Sequence, residues 1–397
     1  DVPLARIWRV NAQYYARRYF DHRDGMVWDK NEQGATLLVN RQFGDSLEAE
    51  VLLVRSVTRV DEALLAQAPR LKFVATATIG TEHLDLAALA ERGIAVASAP
   101  GANADSVGEY VLTAVLAHYQ RRQQLATLAD KEVAIIGAGN TGRAAGRRLA
   151  ALGLTVHYYD PPLLQKGAVP PGLEVHDHWQ RVLNSDIISC HVPLVTAGPH
   201  PTHHLLDIEA LQSLHSGHLL INASRGAVID NQALLTCCEQ GDCPGLILDV
   251  WEGEPAIAVA LLEHVSIATP HIAGHSAEGK VGGALKVAEA LYAFLQRPFT
   301  ANADSVLPAC PWPTFDATQI ASLEDLAALA LHRYDIWRDD ALMRRDGGTA
   351  AGFDQLRKQY RKDNPRRQFN NQRIACHNSQ QFEQFLQLGF NAVRAQS

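Results

Sequence analysis

The sequence predicts an α/β protein: two doubly wound parallel-sheet domains followed by a C-terminal α+β domain. Short β-branched runs alternate with helical stretches from about residue 50 to about residue 300, the rhythm of parallel sheets covered by helices on both faces. A glycine-rich turn, Gly137-x-Gly139-x-x-Gly142, joins an apolar strand to a helix in the middle of that span. Beyond it a proline-rich link, Leu307-Pro-Ala-Cys-Pro-Trp-Pro-Thr314, opens onto a polar, Arg/Gln-rich tail of different texture.

Taken in order, Val51–Val54 reads as a strand, Asp61–Ala68 as a helix and Lys72–Thr76 as a strand. Leu84–Arg92 follows as a helix and Ile94–Ala97 as a strand. A long helix over about Ser106–Leu128 then carries the chain out of this first unit. The second unit runs from the strand Glu132–Ile136 through the glycine turn to the helix Arg143–Leu152. The next strand, Thr155–Tyr159, ends at Asp160. Further strands are expected at Ile187–His191, His218–Asn222, Gly245–Asp249 and Val265–Ala268. The resulting division is a discontinuous substrate-binding domain over 1–108 and 276–300, a cofactor domain over 109–275 and a C-terminal domain over 301–397.

Composition narrows the function. The chain has 397 residues, 47% of them hydrophobic and 20% charged, which suits a folded protein of two or three domains. Lys+Arg 36 against Asp+Glu 43 leaves a net charge of −7, which argues against nucleic acid or an anionic membrane as partner. Apolar runs such as Val111–Ala117 fall far short of the roughly 20 residues that span a bilayer. The chain opens without a basic and then apolar leader pattern, so a cytoplasmic location is expected. The six cysteines form no CxxC pair and no zinc spacing with histidine, so free thiols and no metal are expected. The basic run Arg357–Arg367 reads as a solvated helix face.

Strand, glycine turn, helix, second strand and acidic residue together make the dinucleotide-binding, or Rossmann, arrangement. Gly137 permits the tight turn, Gly139 lets the backbone approach a pyrophosphate, and Gly142 lets helix and strand pack closely. Asn140 and Thr141 lie within that turn, just ahead of a helix whose N-terminal N–H groups and dipole suit phosphates. Asp160 stands where a carboxylate bonds the ribose hydroxyls. A 2′-phosphate would meet its charge, and Pro161–Leu164 supplies no arginine, so the expected cofactor is NAD.

Three later stretches carry the reactive side chains: Ile221-Asn-Ala-Ser-Arg225-Gly226, Leu248-Asp249-Val-Trp-Glu-Gly-Glu254-Pro255 and Ala268-Thr-Pro-His271-Ile-Ala-Gly-His275. Hydride transfer from a 2-hydroxy acid needs a base for the hydroxyl proton, a cation for the carboxylate and an orienter for the base. Histidine, arginine and glutamate are the residue types for those tasks, though each alone is unremarkable. In this order, after a Rossmann turn, the stretches resemble the D-2-hydroxyacid dehydrogenase family. The resemblance implies that Arg225, Glu254 and His271 are its catalytic residues. It also implies cofactor contacts from Asp160, Ala223, Ser224, Asp249 and Gly274.

From about residue 50 to the end the chain is similar to one branch of that family. The likeness rests on Leu53–Thr58, Phe73–Thr81, Ser98–Asn103 and Leu248–Pro255, and on Arg338-Asp-Asp340, Phe353–Lys358 and Leu388–Val393 in the tail. It implies NAD-dependent oxidation of 4-phospho-D-erythronate to 2-oxo-3-hydroxy-4-phosphobutanoate in vitamin B6 synthesis, with the tail as dimerisation domain of a homodimer. The apolar positions Ile320, Leu323, Leu326, Leu329, Leu331 and Phe353 are then expected to meet a partner subunit. Substrate contacts fall on Ser56, Thr78 and His275, the last where a tyrosine is usual. Val192 replaces a common threonine, and Val10-Asn-Ala-Gln-Tyr14 replaces the branch's first-strand motif. The alternatives are another 2-hydroxyacid dehydrogenase, such as one acting on D-3-phosphoglycerate, and an NAD-sensing corepressor-like binding protein.

Overall fold

A computed structural model describes residues 26–28, 37–39, 50–54, 58–241, 243–300, 307, 309–310, 312–362 and 364–395. These fall into two compact units, one drawn from Asp1–Asn103 and Ser276–Ala309, the other from Ala104–His275 and Cys310–Ser397. Ser56 and the Val10–Tyr14 stretch lie outside the described residues.

In the first unit five described strands stand side by side: β1 (Met26–Trp28), β2 (Leu37–Val39), β3 (Val51–Val54), β4 (Phe73–Thr76) and β5 (Ala95–Ala97). β1 pairs antiparallel with β2, and the remaining pairs are parallel. Side chains alternate across a strand, so β3 and β4 feed two layers. Leu52, Val54 and Val74 join Leu64, Leu65 and Leu89, while Val51, Leu53, Phe73 and Ala75 meet Val287, Ala288 and Leu291 of the helix Ala277–Phe294. Burial on both faces explains why β3 reads as an unbroken apolar run.

The second unit holds a seven-stranded parallel sheet. Its strands are β6 (Glu132–Ile136), β7 (Thr155–Tyr159), β8 (Val175–His176), β9 (Ile187–Cys190), β10 (Leu219–Asn222), β11 (Gly245–Leu248) and β12 (Ile267–Ala268), in the order β12-β11-β10-β9-β6-β7-β8. The chain runs outward from β6 to β8, returns to β9 on the other side of β6, and runs outward again. The β6/β9 boundary is therefore the topological switch point, where open α/β sheets bind ligands. The helix expected over Ser106–Leu128 spans Ala104–Arg121; Gln123, with a φ of 57°, breaks it, and a 3₁₀ turn covers Leu125–Asp130.

The tail adds a small parallel sheet, β13 (Phe315–Asp316), β14 (Arg373–Cys376) and β15 (Asn391–Arg394), but not a separate core. Leu326, Leu329, Tyr334, Phe369 and Phe385 share one apolar cluster with Tyr110, Leu116 and Leu149, and Phe353 shares another with Trp251 and Leu261. Ile320, Leu323 and Leu331 lie against the first of these clusters. Of the apolar side chains expected to need a partner subunit, Leu326, Leu329 and Phe353 are thus buried within this chain, and Ile320, Leu323 and Leu331 are half-buried.

The basic run also departs from expectation. Arg366 is only 2% exposed: its guanidinium bonds the carbonyls of Ser106 and Ala273 and lies 4.4 Å over the Tyr334 ring. Arg361 bonds the buried Asp339 at 3.2 Å. One Arg366 nitrogen, Nη2, has two carbonyl acceptors, and Arg361 Nη2 has a carboxylate, so both arginines reach protein acceptors instead of pointing to solvent. Nor are all the cysteines thiols, since Cys238 and Cys243 form a disulfide across the turn after the helix Asn231–Glu239.

Candidate active site

The glycine turn follows β6, and its three glycines meet three different surroundings. Gly137 has a φ of 98°, and a Cβ there would stand 2.9 Å from Val192 and 3.0 Å from the His191 carbonyl, at the end of neighbouring β9. A Cβ on Gly142 would lie 1.9 Å from the Gly137 oxygen, so the helix Asn140–Ala150 sits directly on the turn. At Gly139 a Cβ meets nothing within 4 Å, and this residue caps the helix without a side-chain hydrogen bond. An open cradle of backbone N–H groups at a helix start is what a dinucleotide pyrophosphate requires. Asn140 and Thr141 form the first turn of that helix.

Asp160 closes the cradle's rim. Its carboxylate accepts the N–H of Ala138 at 2.9 Å and of Leu163 at 3.0 Å, tying the glycine turn to the end of β7. Gly137 N–H donates to the Tyr159 carbonyl at 2.9 Å, a second tie between the same segments. These residues therefore fit NAD, with a carboxylate held at the end of the second strand, beside the glycine turn.

Arg225, Glu254 and His271 lie just beyond the C-terminal ends of β10, β11 and β12, three adjacent strands. His271 adopts a φ of 57°, and its N–H donates to the Asp249 carbonyl at 2.6 Å. Its Nδ1 makes a short hydrogen bond with Glu254 Oε1, while Glu254 Oε2 accepts the Trp251 N–H at 3.2 Å. Burial is the largest influence on the Glu254 carboxyl and pushes it up. The His271 hydrogen bond and charge, with the charge of Arg357, outweigh burial and hold it below the ordinary glutamate range. An ionised Glu254 only accepts, so His271 Nδ1 donates, and Nε2 is left as the atom that takes or gives a proton.

Arg225 is set by its neighbours on the turn. Asn222 accepts from Ser224 N–H at 3.1 Å and Ser224 Oγ at 2.8 Å, and donates to the Arg225 carbonyl at 3.0 Å. The Arg225 guanidinium donates to the Ser224 carbonyl at 2.9 Å. A Cβ on Gly226 would fall 2.0 Å from the Trp251 backbone, so the loops after β10 and β11 are in backbone contact. Ala223 is half-buried on the same turn.

Asp249, expected among the cofactor contacts, is 1% exposed, and the structure uses it to clamp the histidine loop. Its carboxylate accepts the Thr269 hydroxyl at 2.6 Å and the N–H groups of Ile272 at 2.7 Å and Ala273 at 2.9 Å. Burial pushes its carboxyl above the ordinary aspartate range despite these donors and the His271 charge. Because the Thr269 hydroxyl hydrogen goes to Asp249, the Tyr110 hydroxyl donates to Thr269 Oγ1, at 2.8 Å. Gly274 continues this loop. His275 follows, its N–H bonded to the Ile272 carbonyl at 2.8 Å and its ring 5.8 Å from that of Tyr360.

Tyr110 goes unmarked in the sequence, Thr269 is given no role there, and Arg366 and Tyr360 lie in the run read as solvated. Only the tail stretch Phe353–Lys358 hinted that residues near 360 matter. In the first unit, Thr78 lies just past β4, where its hydroxyl donates to the Gly80 carbonyl at 2.9 Å and accepts from Thr76 at 2.7 Å.

The chain is similar to known proteins. Residues 107–273 match the model of the D-isomer specific 2-hydroxyacid dehydrogenase NAD binding domain, and residues 306–389 match a domain of unknown function, DUF3410. The erythronate-4-phosphate dehydrogenase of Idiomarina loihiensis is 60% identical over 345 residues, 87% of this chain and 89% of that protein. Its counterpart in Escherichia coli O7:K1 is 42% identical over 349 residues, with 87% and 89% covered. Among solved structures, D-lactate dehydrogenase from Aquifex aeolicus, complexed with NAD and lactic acid, aligns with a TM-score of 0.53 at 26% identity over 63% of this chain and 84% of that one. NAD-dependent formate dehydrogenase from Staphylococcus aureus aligns with a TM-score of 0.52 at 26% identity over 64% and 81%. The chain belongs to the D-isomer specific 2-hydroxyacid dehydrogenases, in the branch of the erythronate-4-phosphate dehydrogenases, and carries that family's NAD-binding domain.

Proposed function

We propose that this chain oxidises 4-phospho-D-erythronate to 2-oxo-3-hydroxy-4-phosphobutanoate with NAD, as a step in vitamin B6 synthesis. The observation that carries the reading is the His271–Glu254 pair, placed with Arg225 at the ends of three adjacent strands in a chain 60% identical to an erythronate-4-phosphate dehydrogenase.

NAD, when bound, accepts the hydride that leaves C2 of the substrate. His271 Nε2 takes the C2 hydroxyl proton as that hydride departs, and the C2–O bond becomes a carbonyl. Glu254 keeps the ring in the one tautomer that leaves Nε2 able to accept. Arg225 holds the substrate carboxylate and polarises the forming carbonyl oxygen, a task suited to a planar, permanently charged fork. Gly137, Gly139, Asn140, Thr141, Gly142 and Asp160 would hold the cofactor's pyrophosphate and ribose, and Ala223, Ser224 and Gly274 would also contact it, with Asp249 supporting that loop from the interior. Ser56, Thr78 and His275 contact substrate.

No helix among the described residues is long and apolar enough to cross a membrane. We place the enzyme in the cytoplasm as a homodimer, the latter on the likeness of the tail to its branch alone.

The test is NADH formation by the purified chain with 4-phospho-D-erythronate, D-3-phosphoglycerate and D-lactate in parallel. The highest kcat/KM is expected for the four-carbon phosphate. Turnover of another acid with none of 4-phospho-D-erythronate would refute the assignment.

A further inference from the structure

Apart from the catalytic residues, the cofactor unit gathers a second set of side chains able to bind a ligand. His203 and His204 lie on the segment after β9, and Glu252 lies on the loop after β11, two residues before Glu254. One imidazole nitrogen from each histidine and one carboxylate oxygen lie within 4.8 Å of one another. His204 Nε2 and Glu252 Oε1 are 2.6 Å apart, and His204 Nδ1 is 3.5 Å from Asp230 Oδ2. A ligating imidazole in proteins commonly turns its second nitrogen to a carboxylate in this way.

The backbone holds the set in place. His204 has a φ of 50°, in the left-handed region that non-glycine residues rarely adopt, and its N–H is anchored to the Ala227 carbonyl at 2.7 Å. Glu252 exchanges two bonds with Asn231: Oε2 accepts its N–H at 3.1 Å, and the Glu252 N–H donates to its Oδ1 at 3.1 Å. The rings of His203 and His204 are stacked, with centroids 4.0 Å apart. Two imidazolium ions so close would repel, whereas two neutral imidazoles are good ligands. The hydride-transfer chemistry uses none of these groups.

We propose that His203, His204 and Glu252 form a binding site for a divalent transition-metal ion, with zinc as the reference case. Asp230 orients His204, and water completes the shell. Two nitrogens and one carboxylate oxygen suit zinc, cobalt or nickel and do not suit magnesium or calcium, which take oxygen ligands. Bonds of about 2.0 Å to a tetrahedral centre put ligand atoms about 3.3 Å apart, so the set must contract somewhat. The exposed His203 ring can swing to do so. The ion would tie the loop that bears Glu252 and Glu254 to the segment after β9.

The test uses the full, untagged, metal-stripped chain, titrated with Zn²⁺ by calorimetry and with Co²⁺ by visible absorption. The expected result is one site per chain, Co²⁺ bands without a thiolate charge-transfer band, and no uptake of Mg²⁺. His203→Ala removes an exposed ligand, and His204→Asn keeps a residue that tolerates the left-handed backbone. Each should weaken Zn²⁺ binding by about tenfold or more, while NAD affinity and circular dichroism stay unchanged. Zn²⁺ should raise Tm in the wild type and not in the variants. Absence of stoichiometric binding, or wild-type affinity in both variants, would overturn the proposal and leave His204–Glu252 as a plain ion pair.

Discussion

Asp340 offers the sharpest test of whether the tail positions the histidine loop. It lies on the helix Ile336–Asp346, and its Oδ1 accepts the backbone N–H of Ala268, the last residue of edge strand β12, at 2.8 Å. The same carboxylate receives Arg344 Nε at 2.9 Å, and that guanidinium also bonds the carbonyls of Leu262 at 2.8 Å and Val265 at 2.6 Å. Asp340→Ala leaves the buried Ala268 N–H without its acceptor, at a cost of about 1–3 kcal/mol. Arg344 keeps two carbonyl partners, so the lost ion pair adds only about 1 kcal/mol. The total of about 2–4 kcal/mol, at about 2–4 °C per kcal/mol in a domain of this size, lowers Tm by about 4–16 °C. Asp340→Asn keeps an oxygen for Ala268 and loses only the charge, so its Tm should fall by about 2–4 °C. Because β12 runs directly into His271, Asp340→Ala should also lower kcat more than NAD affinity. Thermal melts and steady-state kinetics on the three proteins are the assay. An alanine variant within about 2 °C of wild type, or equal damage from both substitutions, would refute the reasoning.

His271→Ala should lower kcat by roughly 10²–10⁴-fold with NAD binding retained; near-normal turnover would remove it as the base. Arg225→Lys keeps the charge but loses the fork, so a large fall in kcat/KM is expected, and full activity would make it a surface group. Removing residues 303–397 uncovers Tyr110, Leu116 and Leu149, so the product should aggregate; a soluble 1–302 chain that unfolds cooperatively would contradict the shared core. Stability should peak near pH 6.5. Burial pushes His118 and His157 down to about 4 and His191 down to about 3, so below about 6.5 the unfolded chain binds these protons first and stability falls. Burial pushes Glu109 up to about 8, so between about 4.5 and 8 the folded chain holds the extra proton and stability falls as pH rises. Three histidines outweigh Glu109 on the acid side, and on the alkaline side the proton held by Glu109 acts without them. Glu109→Gln should flatten the alkaline limb and steepen the acid limb between about pH 4.5 and 6.5, and a Tm still climbing from pH 6.5 to 8 in the wild type would show that the balance is wrong.

Much of the site was readable because the reactive groups sit at strand ends. A buried parallel strand is an unmistakable apolar run, as in Val133–Ile136 or Leu246–Leu248, and the residues just past it are the ones a parallel sheet presents to ligands. Arg225, Glu254 and His271 each follow such a run, and so does the glycine turn. What failed were judgements about which surface covers a side chain. Leu326 and Phe353 asked for a partner, and nothing local says that the partner is the same chain. The arginines of 357–367 looked solvated because charge usually is, and the acceptors that allow Arg366 to be buried lie elsewhere in the sequence.

Sequence separation explains the difference. Glu254 and His271, whose contact the sequence predicted, are 17 residues apart and joined by one strand. The clamps around them reach much further: Tyr110 to Thr269 spans 159 residues, Arg366 to Ala273 spans 93, and Asp340 to Ala268 spans 72. Each clamp donates to or accepts from the segment that carries His271, and two of the three come from the tail. The chemistry of the site is thus written in short strand-end patterns. The aim of the histidine, held at a left-handed φ that does not favour it, is set by long-range hydrogen bonds that no local pattern encodes. A tail hydrogen-bonded to both sides of the His271 segment is expected to affect turnover whether or not it also joins two subunits. On this argument Asp340→Ala slows a monomeric and a dimeric enzyme alike.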